Sequence, residues 1–436
     1  MFGAAGIAVL AVSWPGHLSY DSILQLLQGR TGLYNTWHPP VMAWLMGIGD
    51  AIVPGTGLFV AFDCLLGFGA FAAITWLPPV RSWKMATVMA VLIALAPQMV
   101  LYQGIVWKDV LFADAMVAGF VALAFGARSV AALAASFVFL TLAALARQNG
   151  VVLLPLAAAA FGWQCGGAWT RRAARGAGAL AAMVIAVFGI NALLDLRSNG
   201  DNGPAEQFHL LQIYDLGGAV ARDPAFPLPA LAEEDPAAEH AIRTVGARLY
   251  TPVRNDPMVS APEMDAALRT LDVDAASSDW RSLVTEHPWL YLKVRAASFY
   301  WVLCTPDILQ ARPVFTGIEG PAEEMKQPGL QPRRDARDLA LASYAVAFEA
   351  TPVFSHLFFL VIAVACLVAL LRRRAPADMA VAAMLAGALL FTASFFVISI
   401  SCDYRYLYAL DLSAMAALFY LACDLYSLPA LFGMKR

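Results

Sequence analysis

The sequence predicts an all-α polytopic membrane protein. It should have about ten transmembrane helices, interfacial helices in the first outer loop and a large extracytoplasmic loop domain. Three observations predict this. Of the 436 residues, 60% are hydrophobic and only 14% charged, with a mean hydropathy of +0.64. A soluble domain carries roughly 25% charged residues and cannot hide this much apolar surface. Second, apolar runs recur at lengths that cross the hydrocarbon core of a bilayer. Third, Lys and Arg cluster in the short links between alternate runs, and the positive-inside rule assigns those links to the cytoplasm.

The candidate spans are 2–14, 57–77, 86–102, 110–127, 130–146, 150–167, 177–195, 352–371, 378–400 and 405–423. The first, Phe2 to Trp14, lacks the basic leader of a signal peptide and is short for a span. An upstream start or local bilayer thinning would complete it. The Gly-rich stretch from Pro39 to Val53, which carries Asp50, is placed in the interface. If it crossed, the basic clusters would scatter over both faces. When it does not cross, Arg81 and Lys84, Arg128, Arg171-Arg172-Arg175, Arg372 to Arg374 and Lys435-Arg436 share one side. Both termini then lie in the cytoplasm, and residues 15–56, 103–109, 147–149, 196–351 and 401–404 lie outside.

This divides the chain into an N-terminal transmembrane region (1–195), an outer segment (196–351) and a C-terminal transmembrane region (352–436). The outer segment is polar and acidic up to Asp279, with Glu233-Glu234-Asp235, Asp272 and Asp274, and shows helical signals near 236–250 and 262–272. Residues 287–304 are aromatic and carry Lys293 and Arg295, the pattern of an interfacial helix. Of the six cysteines, Cys64, Cys165, Cys366 and Cys423 fall in apolar runs; a Cys304–Cys402 disulfide near the outer face is left open. A net charge of −3 gives no footprint for nucleic acid.

The unusual polar residues gather on the outer side. Asp21 begins a short amphipathic helix with Ile23, Leu24, Leu26 and Leu27 on its apolar face, and seventeen residues later comes His38, in Trp37-His38-Pro39-Pro40. A carboxylate held at the membrane surface is a candidate general base for an acceptor hydroxyl; equally, Asp21 and His38 are candidate helix caps. Lys108 and Asp109 stand at the mouth of the fourth span, with Asp114 a turn inside. Lys108 either neutralises a phosphate or, with Asp109, anchors a helix end. Arg147, in LARQNG, breaks the positive-inside pattern and either snorkels or binds an oxyanion. Asp403, Tyr404 and Arg405 sit at the mouth of the last span, where Arg405 either meets a phosphate or pairs with Asp403. Asp63, mid-span, is expected to pair within the bundle.

The sequence has no Walker loop, HExxH or GxSxG, and no cytoplasmic loop large enough for a nucleotide-sugar domain. An outward-facing site of this kind needs an activated donor delivered within the membrane, and a lipid phosphate meets that need.

Tyr20-Asp21-Ser22 followed by Trp37-His38-Pro39-Pro40, the Lys108-Asp109 pair, the Arg147 to Gly150 turn and Arg405-Tyr406-Leu407 occur in an order and on a face that resemble the GT-C superfamily of integral membrane glycosyltransferases of bacterial type. Many members have an Asp-Glu pair where this chain has Asp-Ser, and residues 196–350 match nothing firmly. The resemblance implies a GT-C fold in a bacterial inner membrane with the active site facing the periplasm. It also implies a polyprenyl-phosphate-linked sugar as donor and inverting transfer to an envelope glycan, lipid or protein acceptor, such as a polysaccharide or lipopolysaccharide. In that scheme Asp21 is the catalytic base, and Lys108, Arg147 and Arg405 bind the donor phosphate. Tyr20, His38, Asp109, Asp403 and Tyr404 shape the loop or touch the acceptor, and a divalent metal ion is left open. Two other classes share these features: a transporter or flippase of a lipid-linked or anionic substrate, and an O-antigen ligase- or polymerase-like enzyme. A transporter predicts paired halves with broken helices, and no repeat relates residues 1–200 to 200–436.

Overall fold

The computed structural model describes residues 1–77, 82–198, 200 and 203–424. Arg81, Lys435 and Arg436, three of the charges that orient the expected topology, lie outside these. The described residues form helices joined by turns and isolated bridges, with no strand among them. They fall into two compact units. One comprises Met1–Gly200, Pro313–Thr392 and the chain from Leu407 onward; the other comprises Asp201–Arg312 and Ala393–Tyr406.

Five helices are long and apolar enough to cross a membrane: Gly57–Ile74, Trp169–Asp195, His356–Arg373, Pro376–Ile398 and Tyr404–Cys423. A sixth candidate is the pair Trp83–Ala94 and Pro97–Gly104, bent by 59° at the break. Proline at the start of its second piece explains the bend, since its ring cannot continue the preceding turn. Three further expected spans fall on shorter segments: Lys108–Ala124 and Val130–Ala146, of 17 residues each, and a 3-10 turn Gln148–Leu153 running into Leu154–Gln164. Phe2–Ser13 has 12 residues, about 18 Å of helix against a core of about 30 Å.

Within the first unit, Lys108–Ala124 is buried along most of its length, and Leu140 of Val130–Ala146 packs where a Cβ on Gly119 would sit. Trp169–Asp195 behaves in the opposite way. Only 11% of its most apolar window is buried, so its Ile185, Phe188 and Leu193 face outward, as lipid-facing side chains do. It leans on Leu154–Gln164 where Gly162 and Gly176 let the two backbones approach.

The segment between Phe2–Ser13 and Gly57–Ile74 forms two helices, Tyr20–Thr31 and Val41–Ile52, packed at a glycine contact. A Cβ on Gly29 would strike the Ala43 carbonyl and the Gly47 backbone. Arg30 clamps Asp50 across the pair with two hydrogen bonds, at 2.9 and 2.7 Å, and this holds the Asp50 carboxyl below its usual range. Val41–Ile52 has 12 residues, the same length as Phe2–Ser13. It buries Met42, Ala43 and Met46 and exposes Trp44, Ile48 and Ile52 at helical spacing, the two-faced pattern of a helix lying in an interface. Residues 313–346 also belong to this unit: Leu18 and Glu319 exchange backbone bonds with Gly317 and Leu18 at 2.9 and 3.1 Å.

The second unit has its own core, with Tyr214, Phe226, Leu231, Ile242 and Leu283 among its buried residues. The buried Arg295 pairs with the buried Asp215 and donates to the Val397 and Ser399 carbonyls at 2.9 and 3.0 Å. Burial, opposed by Arg295, pushes the Asp215 carboxyl up to about 6. The expected helical signals become Pro236–Ala241 with the turns after it and Pro262–Arg269, and the aromatic segment becomes Pro288–Cys304. All six cysteines are free, so the disulfide left open between Cys304 and Cys402 is absent.

Candidate functional site

The site of the first unit is built where residues 17–22, 35–38, 104–109 and 147–148 meet. Two backbone bonds, His17 N–H to the Gly104 carbonyl (2.9 Å) and Val106 N–H to the His17 carbonyl (3.0 Å), fix the start of the loop after Phe2–Ser13 beside residues 104–107. Ser22 Oγ donates to the Val106 carbonyl, and Trp107 Nε1 donates to Ser19 Oγ at 2.9 Å. These bonds set the first turn of Tyr20–Thr31, which carries Asp21, against the first turn of Lys108–Ala124, which carries Lys108. On the other side, Trp37 N–H donates to Asn35 Oδ1 (3.0 Å), tightening the turn that presents His38. Gln148 Nε2 donates to the Trp37 carbonyl at 3.4 Å.

The result is a line of three side chains. Asp21 Oδ1 lies 3.6 Å from His38 Nε2, and His38 Nδ1 lies 2.7 Å from Lys108 Nζ. Asp21 is a quarter exposed and His38 about half as much, at 25% and 13%, so the carboxylate is reachable while the ring is partly enclosed. One residue beyond Lys108, Asp109 is buried and ion-paired with Arg147, whose guanidinium also stands 5.6 Å from the Phe391 ring centroid. Tyr20, beside Asp21, is exposed.

Neither expected cap forms. The N-cap of Tyr20–Thr31 is Ser19 and that of Val41–Ile52 is Pro40, with no side-chain capping bond at either. A carboxylate at Asp21 is still favoured by the positive end of its helix. Lys108 and Asp109 each have a partner on another segment, His38 and Arg147. Arg147 does not snorkel: it is buried against Asp109.

Arg405, Asp403 and Tyr404 belong to the second unit. Arg405 Nη2 lies 3.3 Å from Asp403 Oδ2, so the internal ion pair forms. Arg254, which the sequence reading did not single out, reaches the other oxygen of the same carboxylate at 3.1 Å. Tyr404 is buried, and its N–H donates to the Ala311 carbonyl.

Deeper in the first unit, Asp114 finds a partner in Gln103, whose Nε2 donates to both carboxylate oxygens at 2.8 Å. Asp63 lies at the same depth in the bundle, beside Asp114. It is buried, but its Oδ1 has no hydrogen-bond partner among the described residues. The sequence reading also missed His17. It is fully buried, and its Nδ1 accepts from Gly317 N–H at 2.9 Å and from Arg333 Nη2 at 3.2 Å, with Asp338 Oδ1 at 3.3 Å. Only its place four residues before Asp21 marked it in the sequence.

No group of three or more His, Cys, Asp or Glu side chains able to hold a metal ion occurs among the described residues. Asp21 and His38 alone do not fit one, since Lys108 already engages the Nδ1 of His38.

Fold and site together define an all-α chain with membrane-length helices and a polar cluster built on its first interhelical loop. No protein-family model matches the chain, and no curated protein matches it in sequence. Among solved structures it is similar to the archaeal oligosaccharyltransferase AglB from Archaeoglobus fulgidus in complex with an inhibitory peptide and a dolichol-phosphate. That likeness has 13% identity and a TM-score of 0.39, and covers 99% of this chain and 51% of that one. The A. fulgidus oligosaccharyltransferase in complex with Zn and sulfate gives 13% and 0.39 over 98% and 50%; its apo form gives 13% and 0.39 over 100% and 52%. The chain spans about half the length of these proteins.

Proposed function

We propose that this protein is a membrane glycosyltransferase that moves a sugar from a polyprenyl-phosphate donor to an envelope glycan, lipid or protein acceptor on the outer face of the membrane, with inversion. The observation that carries this reading is Asp21. It is a solvent-reachable carboxylate lined up with His38 and Lys108 at the end of the bundle where the sequence gathers its outer polar residues. In this reading Asp21 takes the proton of the acceptor hydroxyl as that oxygen bonds to the anomeric carbon. The bond from that carbon to the phosphate oxygen breaks, and the lipid phosphate leaves with the electron pair. Lys108 and Arg147 are the cations of this cluster; beyond the bond to Asp109, the five N–H donors of a guanidinium allow Arg147 a further contact. The phosphate role of Arg405 rests on the motif resemblance alone. No step is routed through a metal.

The test is a mass-spectrometric profile of envelope glycans from wild type, a deletion strain and the deletion carrying Asp21→Asn. Loss of a general base costs roughly 100- to 10,000-fold in rate, so both mutants should lack the same sugar while the Asn protein remains in the membrane. An unchanged profile in the deletion would instead favour the transporter reading. A restored sugar with Asp21→Asn would remove Asp21 as the base.

A further inference from the structure

We infer that Lys108 acts on the acid–base step through His38, holding the imidazole in the one neutral form whose Nε2–H faces Asp21, so that His38 and Lys108 are positioning residues for the base. This rests on the proposed role of Asp21. The geometry is the 2.7 Å contact from Lys108 Nζ to His38 Nδ1 and the 3.6 Å separation of His38 Nε2 from Asp21 Oδ1. An ammonium group has donors and no acceptor, so the nitrogen it meets must be bare and accepting. The single proton of the neutral ring then sits on Nε2, on the side of Asp21.

Three consequences follow for the reaction. His38 cannot itself receive the acceptor proton, because Nε2 already bears one and Nδ1 is engaged by Lys108. The carboxylate therefore takes it. Second, a cation on Nδ1 polarises the ring and strengthens Nε2–H as a donor toward the Asp21 carboxylate. The 3.6 Å gap is longer than a hydrogen bond, and catalytic contacts of this kind commonly tighten only when substrate binds. Third, each member is fixed by a separate segment: Asp21 through Ser22 and Ser19, His38 through Asn35 and Gln148, and Lys108 through Trp107. Such bracing is what holds a group in one tautomer and one orientation.

The test reads the ring directly. Full-length protein carrying 15N-labelled histidine is placed in lipid nanodiscs, and the imidazole nitrogens are observed at pH 7. The chain has six histidines, and His38→Gln assigns the signal. The expected result is a bare Nδ1 and a protonated Nε2 at His38 in the wild type. The bare-Nδ1 signal should be lost in Lys108→Met and retained in Lys108→Arg, which keeps charge and donor. A protonated Nδ1 in the wild type overturns the inference without any variant, and so does a bare-Nδ1 signal that survives Lys108→Met unchanged. Failure of the transferase reading looks different: the tautomer is found as expected, yet Asp21→Asn still restores the sugar. The inference fails alone when Asp21 is required for transfer and His38 carries its proton on Nδ1.

Discussion

At the scale of single residues, the most exacting pair is Asp109 with Arg147. Both side chains are nearly withdrawn from water, at 2% and 10% exposure, and removing one partner breaks a buried ion pair. Such a loss costs about 3–5 kcal/mol, so Asp109→Asn should lower the midpoint of thermal unfolding in detergent markedly. Asp109→Asn with Arg147→Met should recover much of it. His17 makes a second prediction, about pH. Burial first, and the Arg333 charge after it, push its pKa down to about 4 from 6.5; Asp338 and Asp335 oppose the shift, and Arg337 adds to it. Between those values the unfolded chain binds the proton and the folded chain does not, so the contribution to stability is present above pH 6.5 and is lost as pH falls to about 4. At 1.36 kcal/mol per unit, that is roughly 3 kcal/mol. The measurement is the unfolding midpoint across pH 4 to 7. His17→Asn, which keeps an acceptor for Gly317 N–H but does not titrate, should flatten the slope.

At the scale of elements, the helices Tyr20–Thr31 and Val41–Ile52 act as one clasp, and the glycine contact between them sets the spacing of Asp21 and His38. Gly47→Ala puts a methyl group into the Gly29 backbone. Overpacking of this kind costs about 1–3 kcal/mol. The expected outcome is a lower unfolding midpoint together with reduced sugar in the glycan profile, whereas Gly69→Ala, on Gly57–Ile74 with open space around its Cβ and no positive φ, should leave the sugar in place. This clasp was largely legible in the sequence. The amphipathic spacing of Ile23 and Leu26, the paired prolines before Val41 and the failure of 39–53 to fit the charge pattern all pointed to two helices at the surface. The bonds that hold the clasp in place were not legible. His17 meets Gly317, Arg333 and Asp338 across about three hundred residues of chain, and no local period encodes such a pairing. The same holds for Arg147: its snorkelling reading looked only at the helix end, while its partner Asp109 lies on another helix. Arg254 escaped notice because it sits in a segment with no motif, although it shares Asp403 with Arg405.

At the scale of the whole molecule, helix lengths and the charge pattern give different counts of membrane crossings. The structure offers five membrane-length helices, six with the bent pair, whereas the charges order ten crossings. The difference lies in 17-residue segments such as Lys108–Ala124 and Val130–Ala146, at the lower limit of what spans a bilayer, and in the 12-residue Phe2–Ser13. The expectation of ten rests on the positive-inside rule, because each omitted crossing moves every later basic cluster to the opposite face. If Val130–Ala146 did not cross, for example, Arg128 and the Arg171-Arg172-Arg175 cluster could not both stay inside without a compensating omission. Reporter insertions into the full chain decide it: green fluorescent protein, which lights only inside, and alkaline phosphatase, which is active only outside, placed after residues 128, 167, 234 and 374. Ten crossings require fluorescence at 128, 167 and 374 and phosphatase activity at 234. A phosphatase-positive 128 would remove a crossing before it. If the lost crossing precedes Lys108 and Lys108–Ala124 still crosses, the Asp21 cluster lies on the cytoplasmic face, where a donor presented from outside cannot meet it.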